Sequence, residues 1–183
     1  MSRITTFATT ADAPSASQPL LLAVERQLGL VPNMFRLIAN SPATLEGYLG
    51  IGAALGKGKL PAATRERIAL AVAEANGCDY CLSAHTYLGK NLAKLDDAEI
   101  TANRSGTSND PTADAAVRFA AHLVRNRGQV SDSDLALVKL AGYSDGEVLE
   151  IILHVALNTF TNYVNEALGT EIDFPVVEAR KAA

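Results

Sequence analysis

Between Pro61 and Gly77 the chain reads Ala62-Ala63-Thr64-Arg65-Glu66-Arg67-Ile68-Ala69-Leu70-Ala71-Val72-Ala73-Glu74-Ala75-Asn76, alanine-rich and apolar nearly all round from Ile68 to Ala73. A helix with one apolar stripe can lie on a surface, but one apolar on every side must be surrounded by other elements. The stretch therefore predicts a helix buried on several sides, ended by Gly77. Glu66 stands out within it. A carboxylate is rarely buried without a partner, so it points either to water or into a polar cluster.

The rest of the chain offers helices to surround it. Leu21, Val24 and Leu28 recur at helical spacing between Gln18 and Gly29, and a short helix is expected from the Val31-Pro32-Asn33-Met34-Phe35 bend to about Ile38. Ser41-Pro42 places a cap before a proline at the first helical position, opening a helix to about Leu55. Asp96 to Glu99 has capping-box spacing and starts a short helix that fails by Ser105-Gly106. Asp110-Pro111 opens a helix to about Asn126, and Ser131 opens another. The longest follows the Ser144-Asp145-Gly146-Glu147 capping box, with Val148, Ile151, Ile152, Val155, Phe160, Tyr163, Val164 and Ala167 at period 3.6 until Gly169. Alternating β-branched runs and hairpin dipeptides between such runs are missing. The expected fold is an all-α single-domain bundle of about eight helices.

The chain's two cysteines and one of its three histidines follow Gly77 directly, as Cys78, Cys81 and His85. At roughly 100° per residue these fall at about 0°, 300° and 340°, one narrow stripe on a helix that the cysteines open. A cysteine near a helix N-terminus and beside a histidine has its thiol pKa lowered from about 8.5, and the thiolate is the attacking species. Cys81, one turn before His85, is the candidate attacking thiol, and Cys78 is placed to condense with an oxidised Cys81 as a disulfide.

Composition bounds the alternatives. In 183 residues, 48% hydrophobic, there is material for one packed domain, here residues 18–183 behind a polar, small-residue lead at 1–17 expected to be flexible. With 16 basic and 20 acidic residues and no Lys/Arg cluster, nucleic acid is an unexpected partner. No run approaches the ~18 apolar residues of a membrane span and the lead has no secretory apolar core, so no membrane partner and a cytoplasmic address are expected. Two cysteines in a reducing compartment are more often redox-active or metal-binding than structural. On the last helix His154, Asn158, Asn162 and Asn165 form a polar stripe of amides and imidazole where a solvated face would carry Lys and Glu. It points toward a pocket or another subunit.

The spacing Glu66-x11-Cys78-x2-Cys81-x3-His85 resembles the carboxymuconolactone decarboxylase and alkylhydroperoxidase-D-like superfamily, in particular its peroxidase-related branch. Two flanking stretches share the likeness: Val31 to Phe35 through Ser41-Pro42-Ala43, and Thr161-Asn162-Tyr163 through Thr170 to Pro175. The resemblance implies an all-α fold, dimer-based homo-oligomers up to trimers of dimers with the CxxC near a subunit interface, and thiol-dependent reduction of hydrogen or organic hydroperoxides. It implies Cys81 as peroxidatic thiol, Cys78 as resolving thiol, His85 as the group activating Cys81, and Glu66 as acid/base member of a proton relay. An external dithiol or thioredoxin-like protein would restore the thiols, and no bound cofactor is expected. Tyr80 stands where the family's best-studied peroxidases have a relay histidine. A phenol with pKa near 10 donates a hydrogen bond but is a poor base at neutral pH.

Three alternatives accompany this reading. One is a lyase or isomerase of the carboxymuconolactone decarboxylase type using Glu66 and His85 with the cysteines incidental. Another is zinc held by Cys78, Cys81 and His85 with Glu66 or another chain supplying the fourth ligand, in a metal-stabilised, non-catalytic oligomer. The third is two cysteines that merely pack as small apolar residues. Glu74 is a rival to Glu66, being closer in sequence to Cys78. His122 and His154 are expected to be solvated or hydrogen-bonded helix residues, and Asn158 and Asn162 interface or packing amides.

Overall fold

A computed structural model describes residues 2–180; Met1 and the last three residues of the expected domain, 181–183, lie outside the described residues. Nine α-helices follow a single 3-10 turn at Thr10–Asp12, and no strand occurs among the described residues. They are α1 Gln18–Leu28, α2 Asn33–Ile38, α3 Pro42–Leu55, α4 Ala62–Asn76, α5 Asp79–Asn91, α6 Asp97–Arg104, α7 Pro111–Arg125, α8 Asp132–Leu140 and α9 Asp145–Leu168. The fold is all-α as expected, with one helix more than the approximate count, and the 3-10 turn lies in the lead that the sequence left without structure.

The all-round apolar segment is the hub. α4 packs against α5, α6, α7 and α9, and Ile68 through Val72 and Ala73 are all buried. Its faces serve two large cores, and Ala71 joins Val117 and Ala121 in a third, small cluster. Leu70 and Ala73 pack with Leu21, Met34, Leu45, Cys78, Cys81 and Leu82, whereas Ile68 and Val72 pack with Phe119, Leu123, Val138 and Ile151. The cysteines therefore sit within one of the two cores that share the central helix.

The capping reading holds in detail. Ser41, Asp96, Asp110, Ser131 and Ser144 each accept a backbone N–H of the helix they precede, which satisfies donors that have no intrahelical partner. Gly77 turns the chain between α4 and α5 at φ +69°, a left-handed conformation that costs a side-chain-bearing residue strain. Residues 2–17 lie against the bundle: Arg3 N donates to Leu168 O at 2.7 Å, Asn40 Nδ2 to Thr5 O at 2.7 Å, and Ser17 Oγ to Ala39 O at 2.8 Å. The stretch after Gly169 straps back across α5, with Val177 N donating to Ser83 Oγ at 2.9 Å and Ala179 N to Asp79 Oδ1 at 2.7 Å. Among the described residues no helix is long and apolar enough to cross a membrane.

Candidate functional site

The turn at Gly77 makes Cys78 the N-cap of α5 and not its first helical residue. Its backbone is extended, and its Sγ accepts the Cys81 N–H at 3.3 Å, doing the work a serine usually does at that position. That fold-back is why the two thiols meet although only one lies inside the helix. Both are reduced and buried, Cys78 fully so and Cys81 3% exposed.

The pair is asymmetric, and the surroundings decide which sulfur carries the charge. Cys78 offers its S–H to the Cys81 sulfur, the largest influence holding the Cys81 pKa down to about 7 in spite of burial. The His85 ring and the amides of Asn165 and Asn162 add to it, and Asn165 Nδ2 lies 3.2 Å from Cys81 Sγ. Cys78 is pushed up in turn, through the same S–H contact and by burial; only the Cys81 N–H favours its anion. One backbone donor on Cys78 stands against an imidazole and two amides on Cys81, so the thiolate resides on Cys81.

His85 is oriented from behind. Its Nδ1 lies 2.9 Å from Glu66 Oε2, the two side chains being 21% and 22% exposed. Burial alone would lower the imidazole pKa, but the Glu66 carboxylate and its hydrogen bond overcome this and hold it above its ordinary value. Glu66, on the hub helix, thus meets the imidazole that faces the thiol, in the chain Glu66, His85, Cys81, Cys78. The rival Glu74 is held elsewhere, accepting from Arg104 Nε at 2.6 Å and from Arg180 N at 2.7 Å.

Tyr80 is not brought to this chain. One residue before Cys81, it is turned about 100° around the helix, and its hydroxyl accepts the Met34 N–H at 3.2 Å while its ring meets Phe174 edge-on at 5.8 Å. The phenol pKa is raised, by burial foremost and then by Asp173 and the Cys81 charge. A different tyrosine has moved in: the pKa of half-buried Tyr48 on α3 is raised by burial foremost, and then by the Cys81 and Glu66 charges. Its ring continues to Phe35 at 5.7 Å and Phe160 at 6.1 Å, an aromatic strip beside the thiol. Nothing in the spacing around Tyr48 marks it, because α3 meets the site only through tertiary packing.

The amide stripe of α9 faces the site. Asn158, Asn162 and Asn165 are buried; Asn158 acts on His85, Asn162 and Asn165 on Cys81, and Asn158 Nδ2 donates to His154 O at 2.8 Å. The sequence signal was present in the run of amides, but pointed equally to a pocket or a partner. His154 is buried, its pKa lowered to about 4 by burial and then by Arg65, so it is neutral at pH 7. His122 pairs with Asp134 at 3.1 Å beside a cleft of about 530 Å³ between α7 and α8 whose lining includes none of the dithiol residues. Among the described residues no three His, Cys, Asp or Glu side chains are grouped as a metal ligand set, Cys78, Cys81 and His85 included.

Fold and site together define an all-α protein with a buried dithiol beside a glutamate-oriented imidazole. Residues 42–122, from α3 into α7 and including Glu66, Cys78, Cys81 and His85, match the model of the carboxymuconolactone decarboxylase family, so the stretch that resembles that family is the one that carries the dithiol site. The chain is similar in fold to an uncharacterized peroxidase-related protein of Ralstonia eutropha JMP134 with an alkylhydroperoxidase AhpD core: TM-score 0.83, 23% identity, 94% of this chain and 92% of that one. A peroxidase-related protein of Silicibacter sp. TM1040 superposes with TM-score 0.80, 23% identity, and coverage of 93% and 91%. The debrominase Bmp8, crystallised as a cysteine-to-alanine variant in complex with 2,3,4-tribromopyrrole, gives TM-score 0.79, 22% identity and 94% coverage of both chains. No curated protein matches in sequence.

Proposed function

We propose that the protein is a thiol-dependent peroxidase that reduces hydrogen or organic hydroperoxides through a Cys81/Cys78 dithiol cycle. The carrying observation is the Cys81 sulfur between the Cys78 S–H and the Glu66-oriented His85 ring. The Cys81 thiolate attacks one peroxide oxygen; the O–O bond breaks, sulfur gains oxygen as a sulfenic acid, and the departing alkoxide takes a proton from His85. Cys78 then attacks the Cys81 sulfur, forming the disulfide and releasing water. Two electrons and two protons from an external dithiol or thioredoxin-like protein restore the thiols. None of these steps calls for a bound cofactor.

Peroxide consumption in the presence of a dithiol tests the reading. Cys81→Ser should abolish it, and Cys78→Ser should leave a sulfenic acid on Cys81 that dimedone traps; full activity in Cys81→Ser would refute the mechanism. The aromatic strip Phe35, Tyr48 and Phe160 beside the thiol supports a second reading, reductive debromination of an aromatic substrate. There a C–Br bond becomes C–H, bromide and a proton leave, and the dithiol becomes the disulfide. Bromide release from a brominated pyrrole, lost in Cys81→Ser, would favour it. Retention of activity on a lactone after replacement of both cysteines would instead favour acid/base chemistry by Glu66 and His85 alone.

We further propose a cytoplasmic, homo-oligomeric protein. An oligomer is supported by α3, which exposes Gly47, Gly50, Ile51, Gly52, Ala53 and Ala54, and by exposed Leu149, Leu153 and Tyr163 on α9. Small and apolar residues on packed neighbouring helices suit close approach of a second copy.

A further inference from the structure

The cycle just proposed passes through a sulfenic acid, and the α9 amides beside Cys81 are left incomplete in the reduced protein. Asn162 is fully buried and Asn165 is 2% exposed. Asn162 Oδ1 accepts Asn76 Nδ2 from the end of α4 at 2.8 Å, which fixes the amide's orientation and leaves its Nδ2 without a hydrogen-bond partner. Asn165 Nδ2 is committed to Cys81 Sγ at 3.2 Å, and its Oδ1 has no partner either. A buried donor and a buried acceptor, both unpaired, flank one sulfur. Such groups are costly to leave unmade and are tolerated where a partner arrives in the course of function.

The Cys81 thiolate cannot satisfy both, since it only accepts, and a thiol would do so weakly, sulfur being a poor donor and a poor acceptor. A sulfenic acid can, because its oxygen accepts and its O–H donates. We propose that Asn162 and Asn165 form a receptor for the Cys81 sulfenic acid, with Asn162 Nδ2 donating to its oxygen and Asn165 Oδ1 accepting its hydroxyl proton. Asn165 holds the sulfur before oxidation and the hydroxyl after it; Asn162 Nδ2 already favours the Cys81 anion from nearby but makes a well-formed hydrogen bond only after oxidation. With its oxygen held on both sides, the sulfenic acid is oriented for attack by Cys78 and is shielded from a second peroxide that would carry it to the sulfinic acid. The titratable groups around the sulfur are Cys78 and His85 on α5, Glu66 on α4, Tyr48 on α3, and, more weakly, Tyr80 and Glu166. Neither amide titrates, so the receptor acts at any pH at which Cys81 reacts.

The inference rests on Cys81 being the oxidised thiol, and the test separates the two. In Cys78→Ser protein, treated with hydrogen peroxide, intact-mass analysis follows sulfenic acid (trapped by dimedone) against sulfinic acid. Adding Asn162→Ala should raise over-oxidation about tenfold, the worth of a hydrogen bond to a developing charge, while raising the pH midpoint of Cys81 alkylation less than Asn165→Ala does, because Asn162 is the weaker of the two amides acting on the thiolate. Adding Asn165→Ala should raise both over-oxidation and that midpoint. A measurement free of amide substitutions uses the ¹H–¹⁵N side-chain signal of Asn162 in the Cys78→Ser protein, which should shift with one equivalent of peroxide. An unmoved Asn162 signal, or unchanged over-oxidation in Asn162→Ala with dimedone still labelling Cys81, overturns the receptor and leaves the peroxidase reading standing. Failure of peroxide to generate any dimedone-reactive Cys81 overturns both.

Discussion

Replacing Glu66 with Gln keeps a hydrogen-bonding group of the same size 2.9 Å from His85 Nδ1 but removes the charge. In the native site burial disfavours the imidazolium and the Glu66 carboxylate more than restores it. Without that carboxylate burial disfavours the imidazolium more strongly, and its attraction for the Cys81 thiolate is weakened. An opposite charge at close range is worth about 1 pKa unit or more, so the Cys81 midpoint should rise from about 7 to roughly 8. At pH 7 the thiolate fraction then falls from about a half to about a tenth. A more basic thiolate is also more nucleophilic, by about threefold per unit at a Brønsted coefficient near 0.45. The two nearly cancel at neutral pH, where alkylation should change by less than about threefold, while the limiting rate above pH 9 should increase about threefold. The assay is therefore the full pH profile of iodoacetamide alkylation of Cys81 in a Cys78→Ser background. A midpoint unmoved by Glu66→Gln would refute the claim that the carboxylate reaches Cys81 through His85.

The same pair has a stability signature: since the His85 pKa is raised on folding, native protein should exceed Glu66→Gln in stability below pH 6.5, the excess fading as pH rises through the folded value, followed by denaturant melts. Cys78→Ala should raise the Cys81 midpoint because it deletes the largest stabilising donor, whereas Cys78→Ser, which keeps a hydroxyl donor, should move it less. Glu99, whose pKa is held near 2 against burial by Ser108, Asn103, Asn109 N–H and Arg67, should cost about 3 kcal/mol as Glu99→Ala by leaving Arg67 half of a broken buried pair. Its contribution should be full above pH 4.5 and vanish as pH falls through about 2. Gly77→Ala meets no neighbour but must hold φ +69°, so thermal unfolding should report a loss of about 1 kcal/mol.

The secondary structure was legible because its determinants are local. Ser144 and Glu147 satisfy each other's backbone donors whatever packs against α9, and Gly29, Gly77 and Gly169 end helices through backbone freedom alone. The site was legible where its members adjoin one helix: Cys78, Cys81 and His85 lie within eight residues, helical periodicity stacks Cys81 and His85, and Cys78 reaches them as the N-cap. It was not legible where the partner comes from another helix. Glu66 and Glu74 were both admissible, and Arg104 claims the second only because α6 packs beside α4. Tyr80 was expected near the relay from its place in the motif; Met34, 46 residues earlier, holds its hydroxyl instead, and Tyr48 lies beside the thiol.

By itself the sequence determined an all-helical chain with a buried central helix and a thiol pair beside a histidine, because caps, periodicity and chain-adjacent spacing act over one or two turns. Only the tertiary structure supplied the partners that back Cys81, which the spacing to His85 already favoured, as the anion. That backing depends on the direction of side chains from α4 and α9, up to 84 residues away, and packing between helices sets such directions, which no local pattern records.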